Sequence, residues 1–328
     1  MSLIYGPSAI AFSETLENVY YVGIGPYIRI FQNDTLIAEH LIFPLSSRII
    51  GILIDKTNLI TYASNYLKVI EFDSDFHHFQ VKYSKDYDDY VISAQKFNDD
   101  PDYSKSLTII LHHGQFLLPG TDKFVNPKVW KIVTSAYLIN QETFLYGDSF
   151  GGISFIQPTK NKEINHETDL GTVFEIDFHY EKQEILTAHE YHGCALCKLY
   201  DDKIVTLWST QNHPSRVWGS KFLPIGPISY GEDGCIHLHY PNEDRCEKIF
   251  HLHRTKNITA LASRGNEVIT GGQNGLLRHL TLFDNEPEIN KFSLYELSNE
   301  VKSKSKHPLT PFSIAILENN VIIVGTFG

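Results

Sequence analysis

Apolar and polar residues recur along this chain in a unit that repeats from one end to the other. Each copy has an apolar stretch, a short turn rich in Gly, Ser, Asn or Asp, and a second stretch in which apolar and polar residues alternate. This pattern predicts two β-strands joined in a hairpin. The copies are Tyr20–Phe31, Leu59–Ile70, Ile109–Phe116, Phe144–Phe155, Ile185–Leu196, Ile228–Leu238 and Val268–Arg278, with an eighth beginning at Val321.

Each hairpin is flanked by two further apolar stretches, so that one unit contains four predicted strands. Val173–Phe178 precedes a hairpin, for example, and Glu247–Phe250 follows one. The turns lie about 34 to 53 residues apart, which brackets the roughly 40–45-residue period of propeller blades. Helical periodicity is nearly absent, which disfavours an alternating βα fold. The sequence therefore predicts an all-β protein, a seven-bladed WD-repeat β-propeller.

The repeats also predict how the chain is divided. We assign residues 1–300 to the first propeller and residues 301–310 to a linker, because Lys302–Pro308 is polar throughout. Residues 311–328 resemble the first strands of a following propeller. Since the chain ends in the middle of a predicted hairpin, we expect it to be the N-terminal part of a longer protein with several propellers.

Composition narrows the classes of function. The net charge of −11 argues against a surface that grips nucleic acid mainly by neutralising phosphates. The cysteines are too few for a secreted disulfide framework, and the N-terminus has no signal-peptide pattern. No apolar run approaches the roughly 20 residues that span a bilayer. We expect a cytoplasmic protein without membrane insertion.

Two enzyme-like motifs fail on their context. Gly147–Gly151 matches the G-x-S-x-G nucleophile elbow, but an alternating stretch follows it instead of the required helix. A turn, with Ser149 inactive, is the better interpretation. Cys194 and Cys197, near His192, resemble half a zinc site, but strand alternation points the two thiols to opposite faces. With no phosphate-binding loop or dinucleotide fingerprint, we predict no catalytic residue, no metal and no cofactor.

His213 and Asp233 form a candidate structural pair. His213 lies in a loop before a predicted strand, and Asp233 lies in the next hairpin turn. In WD repeats such a loop histidine and turn aspartate hydrogen-bond inside one blade. The position that usually holds tryptophan is His239 here, and Cys197 in the preceding unit, so the repeats are degenerate. A catalytic His–Asp couple is disfavoured because no nucleophile accompanies it.

Several stretches carry a more specific resemblance. Ser215–Trp218, Ile228–Asp233 and Gly171–Phe178 are similar to the first propeller of the WD-repeat protein 6 family. The resemblance implies a protein with three consecutive propellers. It also implies, from the fungal member, a non-catalytic partner that directs a tRNA ribose 2′-O-methyltransferase to the wobble nucleotide of the anticodon loop. S-adenosylmethionine would then belong to the catalytic partner, and tRNA would be bound through the complex.

The resemblance leaves two functions open. The first is the scaffold of a tRNA methyltransferase. The alternative is a protein-interaction adaptor in endosomal recycling or ubiquitin ligation, without RNA contact. An enzyme in its own right is disfavoured.

A few residues are candidate contacts with a partner or RNA. Arg216 and Trp218 bracket Val217 and are residue types favoured in binding hot spots, although Trp218 could instead belong to the core. Arg29, Lys68 and Arg278 follow hairpin turns and form a possible basic strip, or they are ordinary outward-facing strand residues.

Overall fold

The protein is described here by a computed structural model. It describes residues 10–12, 19–24, 26–32, 35–47, 49–121, 123–127, 130–251, 257–264, 267–272, 276–281, 290–293, 310–316 and 322–327. These residues form 29 strands and a single one-turn α-helix. Within them, no helix has the length and apolar character needed to cross a membrane.

The strands follow one another in short segments. The first are β1 (Ile10–Phe12), β2 (Val19–Ile24), β3 (Tyr27–Gln32), β4 (Thr35–Leu41), β5 (Ile49–Asp55), β6 (Asn58–Ala63), β7 (Tyr66–Phe72) and β8 (Phe79–Asp86). The middle of the chain contains β9 (Val91–Lys96), α1 (Tyr103–Ser106), β10 (Leu107–Leu111), β11 (Phe116–Leu117), β12 (Val133–Asn140), β13 (Thr143–Asp148), β14 (Gly152–Gln157), β15 (Lys162–Glu167), β16 (Val173–His179), β17 (Glu184–His189), β18 (Cys194–Leu199), β19 (Ile204–Thr210), β20 (Val217–Leu223), β21 (Gly226–Gly231), β22 (Cys235–Tyr240) and β23 (Arg245–His251). The last are β24 (Ile258–Arg264), β25 (Glu267–Gly272), β26 (Leu276–Thr281), β27 (Asn290–Ser293), β28 (Thr310–Ile316) and β29 (Ile322–Phe327).

Residues 1–91 and 256–328 form one compact unit. Two of its sheets are four-stranded meanders, β5 to β8 and β24 to β27, and the third has the order β28-β29-β2-β3-β4 with β1 beside β2. The contact between β2 and β29 is parallel and places Ile24 opposite Thr326. The two C-terminal strands thus lie in the same sheet as the N-terminal strands. The assignment of residues 311–328 to a following propeller stays a prediction, and residues 301–309 of the predicted linker lie outside the described residues.

Residues 92–255 form the second compact unit. Three of its sheets are antiparallel four-stranded meanders, β12 to β15, β16 to β19 and β20 to β23. The first strand of each sheet packs against the first strand of the next, β12 against β16 and β16 against β20. Four antiparallel strands per sheet, joined in sequence order, are the arrangement that the repeat pattern predicted.

The sheet of β9, β10 and β11 departs from that prediction, since it has three strands among the described residues. Between β11 and β12, the described residues form an isolated bridge that pairs Phe116 with Val125. Pro119 and Pro127 fall in the stretch where a fourth strand was expected. Proline has no N–H to give to a strand ladder, so Pro119 and Pro127 reduce the backbone pairing that this stretch can make.

The middle strands of the sheet of β12 to β15 are buried on both faces. Every residue of β13 is buried, and β14 is buried up to Ile156, whereas the outer strand β15 has one buried residue. Middle strands therefore read as nearly continuous apolar runs, and outer strands read as polar or alternating. The core of the second unit is built from Leu145, Ile153, Val173, Ile176, Ile185, Ala195 and their neighbours.

A β-bulge recurs at the same place in the first strand of these sheets. In the second unit it falls between Val133 and Ser135, between Val173 and Glu175, and between Val217 and Gly219. A bulge leaves one residue out of the ladder and redirects its side chain. The residues left out are Thr134, Phe174 and Trp218.

Candidate protein-interaction surface

Three sheets of the second unit repeat one backbone contact at one end of their strands. The residue that begins the turn after the second strand donates its N–H to a carbonyl in the loop before the first strand. The pairs are Ser149 N to Ile132 O at 2.9 Å, Glu190 N to Thr172 O at 3.0 Å and Glu232 N to Arg216 O at 2.9 Å. We call this end of the strands the turn face; it comprises residues 130–132, 148–151, 168–172, 190–193, 211–216 and 232–234.

The turn after β13 presents Phe150. The Oδ1 atom of Asp148 accepts hydrogen bonds of 2.8 Å from the N–H groups of Phe150 and Gly152, and Gly151 has a φ of +92°. This turn holds the backbone while the Phe150 side chain stays 79% exposed. A strand, β14, follows directly. The expectation that Ser149 lies in a turn between strands, rather than in a nucleophile elbow, is confirmed.

The turn after β17 presents Tyr191. Its N–H donates to Leu170 O at 3.0 Å. Gly171 has a φ of +73°, and a Cβ at that position would come within 3.0 Å of the Tyr191 ring. The ring therefore lies close to the Gly171 backbone, where a larger residue would meet it, while remaining 56% exposed.

A third exposed aromatic ring lies on the loop before β12. Trp130 is 63% exposed, and its ring centroid is 6.0 Å from that of His113. The adjacent Lys131 is held by Asp148 at 3.4 Å and by Ser154 Oγ at 3.0 Å. Trp130, Phe150 and Tyr191 thus place three large rings in solvent on the turn face.

The predicted contacts Arg216 and Trp218 take different positions around Val217, which is buried. The Arg216 guanidinium lies between Glu190, at 3.6 Å, and Glu232, at 3.7 Å, and the side chain is 45% exposed. Trp218 is partly buried, and its ring packs on Phe174 with centroids 4.8 Å apart. The two bulge residues of neighbouring first strands therefore pack against one another with their rings tilted by 41°.

Beneath the turn face, the sheet of β20 to β23 contains a buried polar network. His213 Nδ1 lies 3.2 Å from Asp233 Oδ2, an electrostatic contact rather than an aligned hydrogen bond. His213 Nε2 lies 2.7 Å from Ser229 Oγ, which lies 2.7 Å from His239 Nε2. The structure thus brings together the predicted pair, His213 and Asp233, and adds a member. His237 Nε2 donates to Asp233 Oδ2 at 2.8 Å.

The protonation states in this network follow from burial and from Asp233. Burial opposes a charged His237, but its hydrogen bonds with Asp233 and Cys246 outweigh burial and raise its pKa to about 9. Burial also opposes ionisation of Asp233, yet the close contact with His213 and the hydrogen bond from His237 hold its pKa far below the usual value. For His213 burial prevails and its pKa is lowered. The network therefore contains one buried ion pair, His237⁺ and Asp233⁻.

His213, Asp233 and His237 are also a group that could ligate a metal, since one ligand atom of each lies within 4.8 Å of the others. However, the two imidazole rings stack with centroids 3.8 Å apart and planes at 31°. Both rings point a nitrogen at the same carboxylate oxygen, and the 2.8 Å separation is that of a hydrogen bond. Zinc bonds of about 2.0–2.1 Å in a tetrahedron require ligand atoms further apart. The geometry fits a shared carboxylate better than a metal.

Cys194 and Cys197 are buried thiols with different partners. Cys194 Sγ lies 3.4 Å from His239 Nε2, whereas Cys197 Sγ lies 3.6 Å from Thr206 Oγ1. Burial raises the pKa of Cys197 to about 11 and that of Cys194 well above its usual range. His239, which stands where WD repeats usually have tryptophan, packs on Trp208 with centroids 4.9 Å apart.

The other predicted contacts belong to the first compact unit. Lys68 Nζ donates to Ile42 O at 2.7 Å and lies over the Phe43 ring. Arg29 lies on β3 opposite Val22 and Glu39, and Arg278 lies on β26 opposite Thr270 and Lys291; their side chains are outside the described part of the chain. A basic strip formed by these residues stays a prediction.

Sequence reasoning missed Phe150, Tyr191 and the two glutamates around Arg216. Phe150 was considered only as part of the G-x-S-x-G match. The available signal was an aromatic residue in a tight turn after an apolar strand, at equivalent places in two successive repeats. An aromatic residue in a turn between buried strands has no core to enter.

Comparison with known proteins identifies the fold. No protein-family model and no curated protein matches this chain. Among solved structures, the C-terminal WD40 domain of Sif2 is similar with a TM-score of 0.67 and 12% identity, covering 98% of this chain and 93% of that one. The computationally designed Ika8 protein is similar with a TM-score of 0.70 and 14% identity, covering 97% and 95%. These likenesses show a WD-repeat, propeller-type all-β fold. Membership of the WD-repeat protein 6 family, the number of blades and their closure stay predictions.

Proposed function

We propose that this chain is a non-catalytic WD-repeat scaffold whose turn face binds a partner protein. The observation that carries the proposal is the set of exposed rings of Trp130, Phe150 and Tyr191 on one face of the second unit. Large apolar side chains held in solvent on rigid turns are typical of binding sites. Tryptophan and tyrosine are also among the residues that contribute most to protein interfaces.

The buried polar groups nearest this face support a scaffold over an enzyme. Ser229, His213 and His239 contact one another inside the sheet, and Asp233 contacts two histidines. Catalysis would require such groups to converge on a space that a substrate can enter. Here they stabilise the sheet that supports the turns.

We propose further that the partner is the catalytic subunit of a tRNA ribose 2′-O-methyltransferase, which acts on the wobble nucleotide and itself binds S-adenosylmethionine. The support is the sequence resemblance in Ser215–Trp218 and Ile228–Asp233, part of which lies on the turn face. A rigid platform can promote such a reaction by fixing which nucleotide reaches the active site. In this proposal tRNA is bound through the complex, in the cytoplasm.

Mass spectrometry of anticodon-loop methylation, in cells that lack the gene for this chain, tests the proposal. We expect wobble ribose methylation to be lost, restored by the wild-type chain, and not restored by Phe150→Ala/Tyr191→Ala. Tyr180→Ala is the matched control, because Tyr180 is 70% exposed at the other end of the strands. Normal methylation with altered cargo sorting in the deletion strain would overturn the proposal and favour the endosomal adaptor.

A further inference from the structure

We propose that the turn face receives a basic segment of the partner protein, one whose arginine or lysine side chains enter between the exposed rings and the surrounding carboxylates. This inference rests on the proposed scaffold function and names the chemistry of the partner. Three features of the second unit support it: the balance of charge on the turn face, the exposed rings, and the way in which Arg216 is already held.

The charge on the turn face is acidic. Its turns and loops contain more carboxylates than Lys and Arg side chains. The cations are Lys131 and Arg216, and the carboxylates are Asp148, Asp169, Glu190, Glu232 and Asp233. Lys131 is committed to Asp148, and Asp233 to His237, within the protein. Asp169 is exposed, and the glutamates share a single guanidinium. A basic partner is therefore attracted and an acidic one repelled.

The exposed rings add a second attraction for cations. The face of an aromatic ring attracts an ammonium or guanidinium group within about 6 Å of its centroid. Phe150 and Tyr191 both lie on turns whose backbone is hydrogen-bonded in place. Both turns are hydrogen-bonded to the loop between β15 and β16. Thr168 N of this loop donates to Gly151 O at 3.2 Å, and Leu170 O accepts from Tyr191 N at 3.0 Å.

Arg216 shows how this face holds a guanidinium group. Its contacts with Glu190 and Glu232, at 3.6 and 3.7 Å, are longer than charge-assisted hydrogen bonds of about 2.7–2.9 Å. Glu190 is itself positioned by Thr172 Oγ1, 2.9 Å from Oε2. Two oriented carboxylates that bind one arginine loosely can accept a second cation from a partner.

The same charges argue against other occupants. A phosphate backbone is repelled by exposed carboxylates, and the chain has a net charge of −11. A second copy of this chain would oppose one acidic face to another. A basic protein segment is the occupant that satisfies both the charge and the rings.

The test is binding of labelled peptides to the full chain, measured by fluorescence anisotropy. The probe is a twelve-residue peptide of alternating arginine and leucine, and the matched peptide has glutamate in place of arginine. We expect only the arginine peptide to bind. Glu190→Gln/Glu232→Gln and Phe150→Ala/Tyr191→Ala should each weaken binding by about thirtyfold, the size of a hot-spot effect.

A charge-matched control separates this site from general attraction to an acidic protein. Asp201→Asn/Asp202→Asn removes the same charge from the turn between β18 and β19, at the other end of the strands. Its effect should be less than about twofold, since distant exposed charges are screened. Circular dichroism and urea unfolding establish whether each variant folds. If Phe150→Ala/Tyr191→Ala does not fold, Glu190→Gln/Glu232→Gln still tests the site, because glutamine preserves the shape of the glutamate side chain.

Three results would overturn the inference. The first is equal weakening by Asp201→Asn/Asp202→Asn. The second is binding of bulk tRNA with the same sensitivity to Phe150→Ala/Tyr191→Ala. The third is self-association of the chain, if Phe150→Ala/Tyr191→Ala abolishes that self-association. Loss of wobble methylation in the deletion strain, together with any of these results, would leave the scaffold function standing and reject only the basic segment.

Discussion

The carboxylate of Asp233 accepts a hydrogen bond of 2.8 Å from Nε2 of His237 and makes this histidine a buried cation. The turn that contains Asp233 leads directly into β22, which carries His237. Asp233 Oδ1 also accepts a 3.0 Å bond from Cys235 N and so closes that turn. One side chain therefore orders a turn of the interaction surface and neutralises a charge beneath it.

Replacing Asp233 by asparagine should destabilise the protein by about 3–5 kcal/mol, because it removes one partner of a buried ion pair and leaves the other uncompensated. The free energy of unfolding in urea measures this loss. Asp201→Asn, at an exposed position, is the control and should change it by less than about 0.5 kcal/mol. Equal stability of the two variants would show that the pair contributes nothing to the fold.

The ion pair also predicts how stability declines in alkali. The pKa of His237 is raised to about 9 in the folded chain, above about 6.5 for an unperturbed histidine. Its contribution is therefore fully present below about pH 6.5 and is lost as pH rises through about 9. Urea unfolding between pH 6 and 10 should show this loss in the wild type. His237→Gln should flatten it, and a parallel decline in both proteins would exclude His237 as its source.

Two other histidines predict a loss of stability in acid. Burial lowers the pKa of His189 to about 4 and that of His239 to about 3, so both stay neutral in the folded chain. As pH falls below about 6.5, the unfolded chain binds protons that the folded chain does not, and stability decreases. His239→Gln should lessen the decline between pH 6.5 and 4 in urea titrations. An unchanged slope would mean that His239 is protonated in the folded protein.

Gly219 should not tolerate alanine. A Cβ at Gly219 would collide with the Tyr230 ring, which lies directly across the strand pair. The first compact unit repeats this arrangement, with Gly51 against Tyr62. We expect Gly219→Ala to cost about 1–3 kcal/mol in urea unfolding, as overpacking of a core does.

A double-mutant cycle separates this collision from a general effect of alanine at Gly219. In the background of Tyr230→Ala, the substitution Gly219→Ala should cost less, because the ring is gone and the other group that a Cβ would meet is the end of the flexible Glu175 side chain. An equal cost in both backgrounds would show that the ring is not what Gly219 accommodates.

The hairpins were predictable from sequence because their signal is local. The stretch Phe144–Phe155 contains an apolar strand, a turn with two glycines and an alternating strand, and the structure forms β13 and β14 there. The third repeat, which contains β9, β10 and β11, was predicted less well. Its apolar run did not indicate that, among the described residues, the chain between β11 and β12 would form an isolated bridge instead of a fourth strand.

The site was predictable only where one residue marks a known position in the repeat. His213 and Asp233 were paired in advance on that basis. The contact between the rings of Phe174 and Trp218 was not predictable, because it depends on how two first strands pack and on bulges that no sequence pattern encodes. Likewise, the third member of the network, His237, was not predicted. Its contact with Asp233 depends on the shape of the turn that precedes β22.

The central claim is that the exposed rings of the turn face bind a protein, and site-specific photo-crosslinking in cells tests it most directly. A photoreactive phenylalanine analogue would replace Phe150 in one strain and Tyr180 in another, both being highly exposed and at opposite ends of the strands. We expect position 150 to yield an adduct whose peptides, read by mass spectrometry, come from a basic segment of a tRNA methyltransferase catalytic subunit. Position 180 should not yield it. Equal adducts at both positions, or adducts at position 150 that contain only RNA, would contradict the claim.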